Sequence, residues 1–268
     1  MGTSDDSIHE NVFPAKRHLA LVQLVHTRGQ MTVNDLSSHF GVSLDTLRRD
    51  LDLLASQGLL ERTRGGAIAM DNLVNQDSTF IQRMSTRVPA KKRIARAASH
   101  LIRDGETLLL NGGSTTRLFA IELGSRRNLT IVTNSLTLPP TLLVESVRDV
   151  YLLGGKYRGD AQVTIGPVSF VSIGSITVDC AVIGIGGITV KEGLTTTLLE
   201  EAPMILAMID AARRTIVLAD ASKLGRRAFA QVAPLERIGI LVTDEKPPND
   251  LVHALKEARV ELIIAAEA

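Results

Sequence analysis

The sequence lacks the residues on which several classes of protein depend. Its 268 residues include no tryptophan, only 3% aromatic residues and a single cysteine, Cys180. One cysteine cannot form an internal disulfide, so a disulfide-stapled fold is excluded and a reducing compartment is favoured. Scarce aromatic residues argue against the stacking platforms that hold single-stranded nucleic acid. If the chain binds nucleic acid, we therefore expect duplex DNA.

Net charge and long apolar runs are scarce as well. The 30 basic and 29 acidic residues give a formal charge of +1, so only a local basic patch could attract DNA. No stretch approaches the roughly 20 apolar residues of a membrane span, and the first thirty residues lack the apolar core of a signal peptide. The six histidines show no metal-ligand spacing. We therefore expect a globular cytoplasmic protein with no metal, no cofactor and no membrane contact.

Helical periodicity dominates the beginning of the chain. Polar residues 1–13 predict a disordered tail, and apolar residues then recur at helical spacing over 16–28, 32–40 and 43–57. A threonine and a serine open the second and third helices as caps, and Gly41 ends the second. Because so few residues separate these two helices, the pattern predicts a helix-turn-helix motif.

A short hairpin is predicted after the third helix. Residues 59–63 and 67–70 read as strands joined by Arg64, Gly65 and Gly66. Glycines suit a hairpin tip that needs positive φ, and Arg62 and Arg64 place cations where a wing would approach a DNA backbone. The pattern predicts a winged helix-turn-helix domain over 14–70, and the alternative is a small helical domain with a solvated hairpin.

The remaining chain alternates short apolar runs with helical stretches. We predict a linker over 71–90 and an α/β domain over 91–268, with a mainly parallel sheet covered on both faces. A basic stretch at 80–103, with seven cations and no acid, either contacts DNA phosphates or a partner or is a solvated face. The predicted strands are 107–110, 130–133, 150–153, 180–184, 215–219, 238–242 and 261–264.

Polar and glycine-rich loops follow these predicted strands, where open parallel sheets bind their ligands. The first such loop leads into a helix, whose free amides together with the loop's glycines and hydroxyls suit a phosphate group; a tight structural turn is the alternative. The loop lacks the lysine of a P-loop and the glycine spacing of a dinucleotide site. The candidate ligand-binding residues are Asn111, Gly113, Ser114, Thr115, Thr116, Thr133, Asn134, Gly154, Gly155, Gly186, Gly187 and Lys223.

Both halves of the chain resemble one known family. Val42-Ser43, then Thr46-Leu47-Arg48-Arg49-Asp50-Leu51 and Gly65-Gly66-Ala67, resemble the amino-terminal signature of the deoxyribose-operon repressor (DeoR) family of bacterial transcription regulators. The second half is similar to that family's sensor domain, at Gly113-Ser114-Thr115-Thr116, Val132-Thr133-Asn134-Ser135, Leu153-Gly154-Gly155, Glu201-Ala202 and Ala219-Asp220-Ala221-Ser222-Lys223.

The resemblance implies a winged helix-turn-helix repressor of a carbohydrate catabolic operon. Its carboxyl-terminal domain would be similar in fold to ribose-5-phosphate isomerase and would bind a phosphorylated sugar, which relieves repression. Family members usually work as homodimers or higher oligomers, so the resemblance implies a homodimer or homotetramer on double-stranded operator DNA. Asn111 stands where the family commonly has Asp, a change that would weaken recognition of a sugar hydroxyl. The DNA-contacting residues implied by the resemblance are Ser43, Asp45, Thr46, Arg48, Arg49 and, in the wing, Arg64.

A sugar-phosphate isomerase or transferase that retains catalysis is the alternative function. The isomerase carries an acidic run after its fourth strand, whereas this chain has Gly184-Ile185-Gly186-Gly187-Ile188 there. Proton transfer between sugar carbons needs a carboxylate or another base, and this loop offers none. We therefore expect no enzymatic activity.

Overall fold

The structure is a computed structural model that describes residues 14–28, 30–56, 60–63, 65–68, 79–166 and 176–265. The chain divides into two compact units, Met1–Asp71 and Asn72–Ala268. The predicted tail, residues 1–13, and Arg64 lie outside the described residues. Within the described part, no helix combines the length and the apolar character that a membrane crossing requires.

The first unit is a winged helix-turn-helix. Its elements in chain order are α1 (Pro14–Arg28), β1 (Gln30–Thr32), α2 (Val33–Phe40), α3 (Leu44–Ser56), β2 (Glu61–Thr63) and β3 (Gly66–Ile68). The strands form an antiparallel sheet in the order β1-β3-β2. Strand β1 was not predicted, because three residues are too few to show a period.

Local chemistry explains the helix boundaries of this unit. The Thr32 hydroxyl accepts a hydrogen bond from the Asp35 amide at 3.1 Å and so caps α2. Gly41 adopts φ 62°, a left-handed conformation that ends α2 at little cost for glycine. The fully buried side chains of Leu36, Leu47 and other apolar residues then pack the helices together. The helix-turn-helix predicted from apolar spacing and capping residues is therefore confirmed.

The second unit contains a seven-stranded, entirely parallel sheet, and each of the seven predicted runs overlaps one of its strands. The strands are β4 (Thr107–Leu110), β5 (Leu129–Thr133), β6 (Val147–Leu152), β9 (Val178–Gly184), β12 (Ala212–Leu218), β14 (Ile240–Thr243) and β15 (Glu261–Ile264). The smaller pieces are a hairpin of β7 (Lys156–Arg158) and β8 (Val163–Ile165), and an antiparallel sheet of β10 (Gly187–Thr189), β11 (Gly193–Thr196) and β13 (Ala230–Ala233). Its helices are α4 (Phe80–Ser85), α5 (Val88–Ser99), α6 (Ser114–Glu122), α7 (Ala202–Asp210) and α8 (Asn249–Glu257).

Apolar side chains cover both faces of the large sheet. Leu108 and Leu110 point into one buried cluster together with residues of α5 and α6. Leu109, between them, points into the other cluster with residues of α7 and α8. Alternate side chains on a strand face opposite ways, so a strand buried on both faces is apolar throughout. This explains why the sheet was readable as short apolar runs.

The strand order locates a crevice at one edge of the sheet. The order is β15-β14-β12-β9-β4-β5-β6, so the chain moves outward from β4 through β5 to β6 and then returns beside β4 as β9. The strand order therefore reverses between β4 and β9. In open parallel sheets, the loops at the carboxyl ends of two such strands separate and leave room for a ligand.

Candidate functional site

The start of α3 is organised by hydroxyl groups. The Ser43 Oγ accepts a hydrogen bond from the Thr46 amide at 3.2 Å and lies 2.9 Å from the Thr46 Oγ1. These two predicted DNA-contacting residues thus form the amino-terminal cap of α3. Ser43 is exposed and Thr46 is half-buried, so both lie near the surface of the helix-turn-helix unit.

The exposed face of α3 carries cations, while Leu47 on the opposite face is fully buried. Arg48 forms an exposed ion pair with Asp45 at 3.1 Å. Arg49 is also exposed, and within the described residues it has neither an ion pair nor a hydrogen bond. Its guanidinium is therefore available to an external partner. In the wing, the side chain of Arg62 is held by Asp52 at 2.8 Å and by the Gly66 carbonyl at 2.9 Å.

A cavity of about 230 Å³ lies at the crevice between β4 and β9. Loops that follow β4, β9 and β12 contribute to its wall, as do α4 and α5. Six of the twelve predicted ligand-binding residues line it, namely Asn111, Gly113, Ser114, Thr115, Gly186 and Lys223. The other six, Thr116, Thr133, Asn134, Gly154, Gly155 and Gly187, do not.

Two of the six predicted residues that do not line the cavity hold the backbone of its wall in place. The Asn134 side chain accepts a hydrogen bond from the Gly112 amide at 3.0 Å and donates one to the Thr164 carbonyl at 2.9 Å. Thr133 donates to the Leu110 carbonyl at 2.7 Å. Both side chains are completely buried, so their polar groups fix the loop after β4 and do not face a ligand.

The remaining four have other surroundings. Thr116 is completely buried, and its hydroxyl donates to the Gly113 carbonyl at 3.1 Å. Gly187 lies against the backbone of Arg226, where an added Cβ would collide. Gly154 and Gly155 follow β6 and are exposed. Strand β6 is the outermost strand, on the far side of β5 from β4, and neither glycine of its loop lines the cavity.

Asn111 lines the cavity, yet its amide is occupied. Its Nδ2 donates to the Gly184 carbonyl at 2.8 Å, and its Oδ1 accepts from the Gly184 amide at 2.8 Å. An aspartate could accept the second of these bonds but, when ionised, could not donate the first. The family resemblance implies a weakened sugar contact at this position, whereas in the structure the side chain joins β4 to β9.

The first turn of α6 offers free hydrogen-bond donors to the cavity. Ser114 and Thr115 are 6% and 8% exposed, and within the described residues neither hydroxyl has a hydrogen-bond partner. The first amides of a helix also lack partners inside that helix, and the positive end of the helix dipole favours negative charge. This end of the cavity is therefore suited to an anion.

Two lysines add positive charge to the cavity. Lys91 is 4% exposed, and its Nζ donates to the carbonyls of Arg83 at 2.5 Å and Thr86 at 2.8 Å. Burial lowers the pKa of Lys91 to about 8, which Asp220 opposes and Lys223 reinforces. Burial also lowers the pKa of Lys223, whose Nζ has no hydrogen bond or ion pair within the described residues. An anion in the cavity would stabilise both ammonium groups.

Three basic residues that were not among the predicted ligand-binding residues also line the cavity: Arg83, Arg87 and Lys91. The two roles predicted for the basic stretch at 80–103 are DNA or partner contact and a solvated face. The buried Lys91 fits neither role, whereas Arg83 is half-buried and Arg87 is exposed at the edge of the cavity. A usable signal existed: Lys91 precedes Ile94, Ala95 and Ala98 by three, four and seven residues and therefore shares the buried face of α5.

Acidic side chains also reach the cavity, although the loop from 184 to 188 has none. Asp220 is bound by Arg87 at 3.4 Å and by the Ser222 amide at 3.0 Å, and Asp160 is bound by Arg158 at 2.8 Å. Glu201 is buried, and its carboxyl accepts a hydrogen bond from Thr196. Within the described residues, no three His, Cys, Asp or Glu side chains are grouped as a metal site would require.

A helix-turn-helix unit with an exposed cationic helix face, followed by a parallel α/β unit with an anion-suited cavity, is the architecture of a DNA-binding regulator that carries a small-molecule sensor. Two family models match the chain: the DeoR-like helix-turn-helix domain over residues 17–72 and the DeoR C terminal sensor domain over residues 86–245. The chain belongs to the DeoR family and is a DNA-binding transcriptional regulator.

Relatives of this family match over almost the whole chain. The glycerol-3-phosphate regulon repressor of Escherichia coli is 32% identical over 92% of this chain and 97% of its own length. The transcriptional repressor GlcR of Bacillus subtilis is 32% identical over 96% of this chain and 98% of its own. Ribose-5-phosphate isomerase A of Methanocaldococcus jannaschii, 22% identical, overlaps 52% of this chain and 55% of its own with a TM-score of 0.36. Family membership rests on the sequence matches and not on that partial overlap.

Proposed function

We propose that this protein represses a carbohydrate catabolic operon and releases its operator when a phosphorylated sugar binds the cavity. The observation that carries the proposal is the group of uncommitted donors in one cavity: the hydroxyls of Ser114 and Thr115, the start of α6 and the ammonium of Lys223. A phosphate group matches such donors in charge and in hydrogen-bonding capacity. Relatives named as repressors support the regulatory part.

Operator binding is assigned to α3 and the wing. Arg48 and Arg49 lie on the exposed face of α3, and arginine can bond guanine or a phosphate. Ser43, Asp45 and Thr46 lie at the start of the same helix, where a recognition helix makes its base contacts. We assign Arg64 to the wing contact on sequence alone. A homodimer or homotetramer would present two such helices to a palindromic operator.

Effector and operator binding should oppose each other in the full-length protein. We expect one member of a panel of sugar phosphates to raise the melting temperature, because a ligand that binds only the folded state stabilises it. The same compound should weaken operator binding by a factor of roughly 5 to 150, and operator should weaken its binding by an equal factor. Calorimetry and operator titration check both factors. The unphosphorylated sugar is the matched control, and equal stabilisation by both compounds would contradict the proposal.

We also propose that the cavity performs no isomerisation. The loop at 184–188 has no carboxylate, and Asp160 and Asp220 are engaged by arginines. Among the carboxylates of the described cavity wall, Glu201 is the one without an arginine partner and is the first to test as a base. Purified protein incubated with ribose 5-phosphate or glucose 6-phosphate should therefore produce no keto isomer above the uncatalysed rate. Turnover that disappears in the Glu201→Gln variant would show instead that the enzyme alternative is correct.

A further inference from the structure

Glu201 is the cavity residue whose role phosphate binding leaves unexplained. It lies between β11 and α7, is buried, and forms part of the cavity wall. Its Oε2 accepts a hydrogen bond from the Thr196 hydroxyl. Its Oε1 has neither a hydrogen bond nor an ion pair with any described residue. One oxygen of this carboxyl is therefore available to a molecule in the cavity.

The surroundings of Glu201 shift its carboxyl toward the neutral form. Burial raises the pKa of the Glu201 carboxyl, and the charge of Asp160 raises it further. The hydrogen bond from Thr196 and the positive charge of Arg83 lower this pKa without cancelling the effect of burial. A neutral carboxyl carries one proton that it can donate. When Thr196 donates to Oε2 and the carboxyl is neutral, Oε1 is the oxygen that carries the proton.

Two lysines in the cavity wall form a cationic group with the start of α6. Lys91 and Lys223 are coupled, since Lys223 lowers the pKa of Lys91 and Asp220 raises the pKa of each. Helix α5, which carries Lys91, packs against α6. The pKa of Glu201 responds to Arg83 and Asp160 and to neither lysine. Arg83 acts on all three groups, since its charge also lowers the pKa of both lysines. We call Lys91, Lys223 and the start of α6 the cationic end of the cavity.

We propose that Glu201 determines effector specificity by donating a hydrogen bond from Oε1 to an uncharged oxygen of the effector, a hydroxyl or a carbonyl, while the phosphate occupies the cationic end. The ligand class is a phosphorylated polyol or sugar in which a free oxygen lies at the end remote from the phosphate. Inorganic phosphate would occupy the cationic end only. This inference rests on the proposed function, because it takes the phosphate at the cationic end as given.

The test uses calorimetry on the full-length protein with five probes: ribose 5-phosphate, fructose 6-phosphate, glucose 6-phosphate, glycerol 3-phosphate and inorganic phosphate. Glu201→Gln keeps the shape and the neutral donor, whereas Glu201→Leu removes both donor and acceptor. For whichever phosphorylated probe binds wild type tightest, we expect Glu201→Leu to weaken binding by about tenfold or more, and Glu201→Gln by no more than about threefold. Inorganic phosphate should bind all three proteins alike.

A third variant keeps the proposal testable if Glu201→Leu fails to fold. Thr196→Val removes the hydrogen bond that orients the carboxyl and leaves Glu201 in place. Thr196→Val should weaken binding of the phosphorylated probe, as Glu201→Leu does, and should leave the affinity for inorganic phosphate unchanged. Melting temperatures without ligand identify any variant that has failed to fold.

Three results would contradict the proposed role of Glu201 without contradicting the proposed function. They are unchanged probe affinity in Glu201→Leu, an equal loss for inorganic phosphate, and a loss in Glu201→Gln as large as in Glu201→Leu. The last would show that the group acts as an anionic acceptor. Failure of every phosphorylated probe to bind wild type would instead contradict the proposed function, and this inference with it.

Discussion

Lys223→Met should leave operator binding intact and raise the dissociation constant of the phosphorylated effector roughly 10- to 150-fold, since a hydrogen bond to a charged group contributes about 1.5 to 3 kcal/mol. The physical reason is that Lys223 has no other partner among the described residues, so its ammonium is available to the ligand. Operator release should then require a correspondingly higher effector concentration. Calorimetry and operator release, measured on the same preparation, check both effects.

An exposed lysine and a cavity threonine provide the comparisons for the Lys223→Met result. Lys92 carries the same charge but is exposed on α5, so Lys92→Met should leave the effector response at the wild-type level. Thr115→Val removes a cavity hydroxyl and retains the shape of the side chain, so it should blunt the response. A full wild-type response in Lys223→Met and Thr115→Val together would show that the effector binds elsewhere. Loss of operator binding without effector would show that these loops are structural.

Arg49→Ala should weaken operator binding by about 1 to 3 kcal/mol if the guanidinium contacts a base, because a bidentate arginine contact has that magnitude. If Arg49 contacts a phosphate, affinity should fall for all DNA sequences and the salt dependence should flatten by about one unit. Titrations of operator and unrelated DNA at several salt concentrations separate these cases. The effect should exceed that of Arg48→Ala, because Arg48 is already paired with Asp45.

Arg103→Ala is the charge-matched control, since Arg103 is exposed and belongs to the other unit. It removes one positive charge without altering α3, so operator affinity should stay within experimental error. If Arg48→Ala and Arg49→Ala both bind operator like wild type while remaining folded, the exposed face of α3 does not contact DNA.

The parts of this protein that could be read from sequence are those with a local cause. The parallel strands were readable because burial on both faces makes each a short apolar run, and α2 because Thr32 and Gly41 mark its ends. The hairpin of β7 and β8 and the sheet of β10, β11 and β13 were not predicted, because none of these short strands contains three consecutive apolar residues.

The cavity residues likewise differ in whether the local sequence predicts them. The glycine, serine and threonine residues after β4 predict an anion site by their composition, and Ser114 and Thr115 do line the cavity. Asn134 follows a neighbouring strand and has the same polar character, yet it turns inward to hold the backbone. Glu201 comes from a distant loop and enters the cavity only because of tertiary packing, which no local pattern encodes.

The paired hydrogen bonds between Asn111 and Gly184 extend the contact of β4 and β9 by one rung beyond the last backbone pairing, with a side-chain amide taking the place of a peptide group. This rung lies at the point where the crevice opens, so the two strands cannot spread there without breaking both bonds. The Asn111 side chain therefore holds these two strands together at this wall of the crevice without any ligand. We therefore expect discrimination among effectors to depend on the length of the molecule and the groups along it, since a broader molecule would have to break these two bonds.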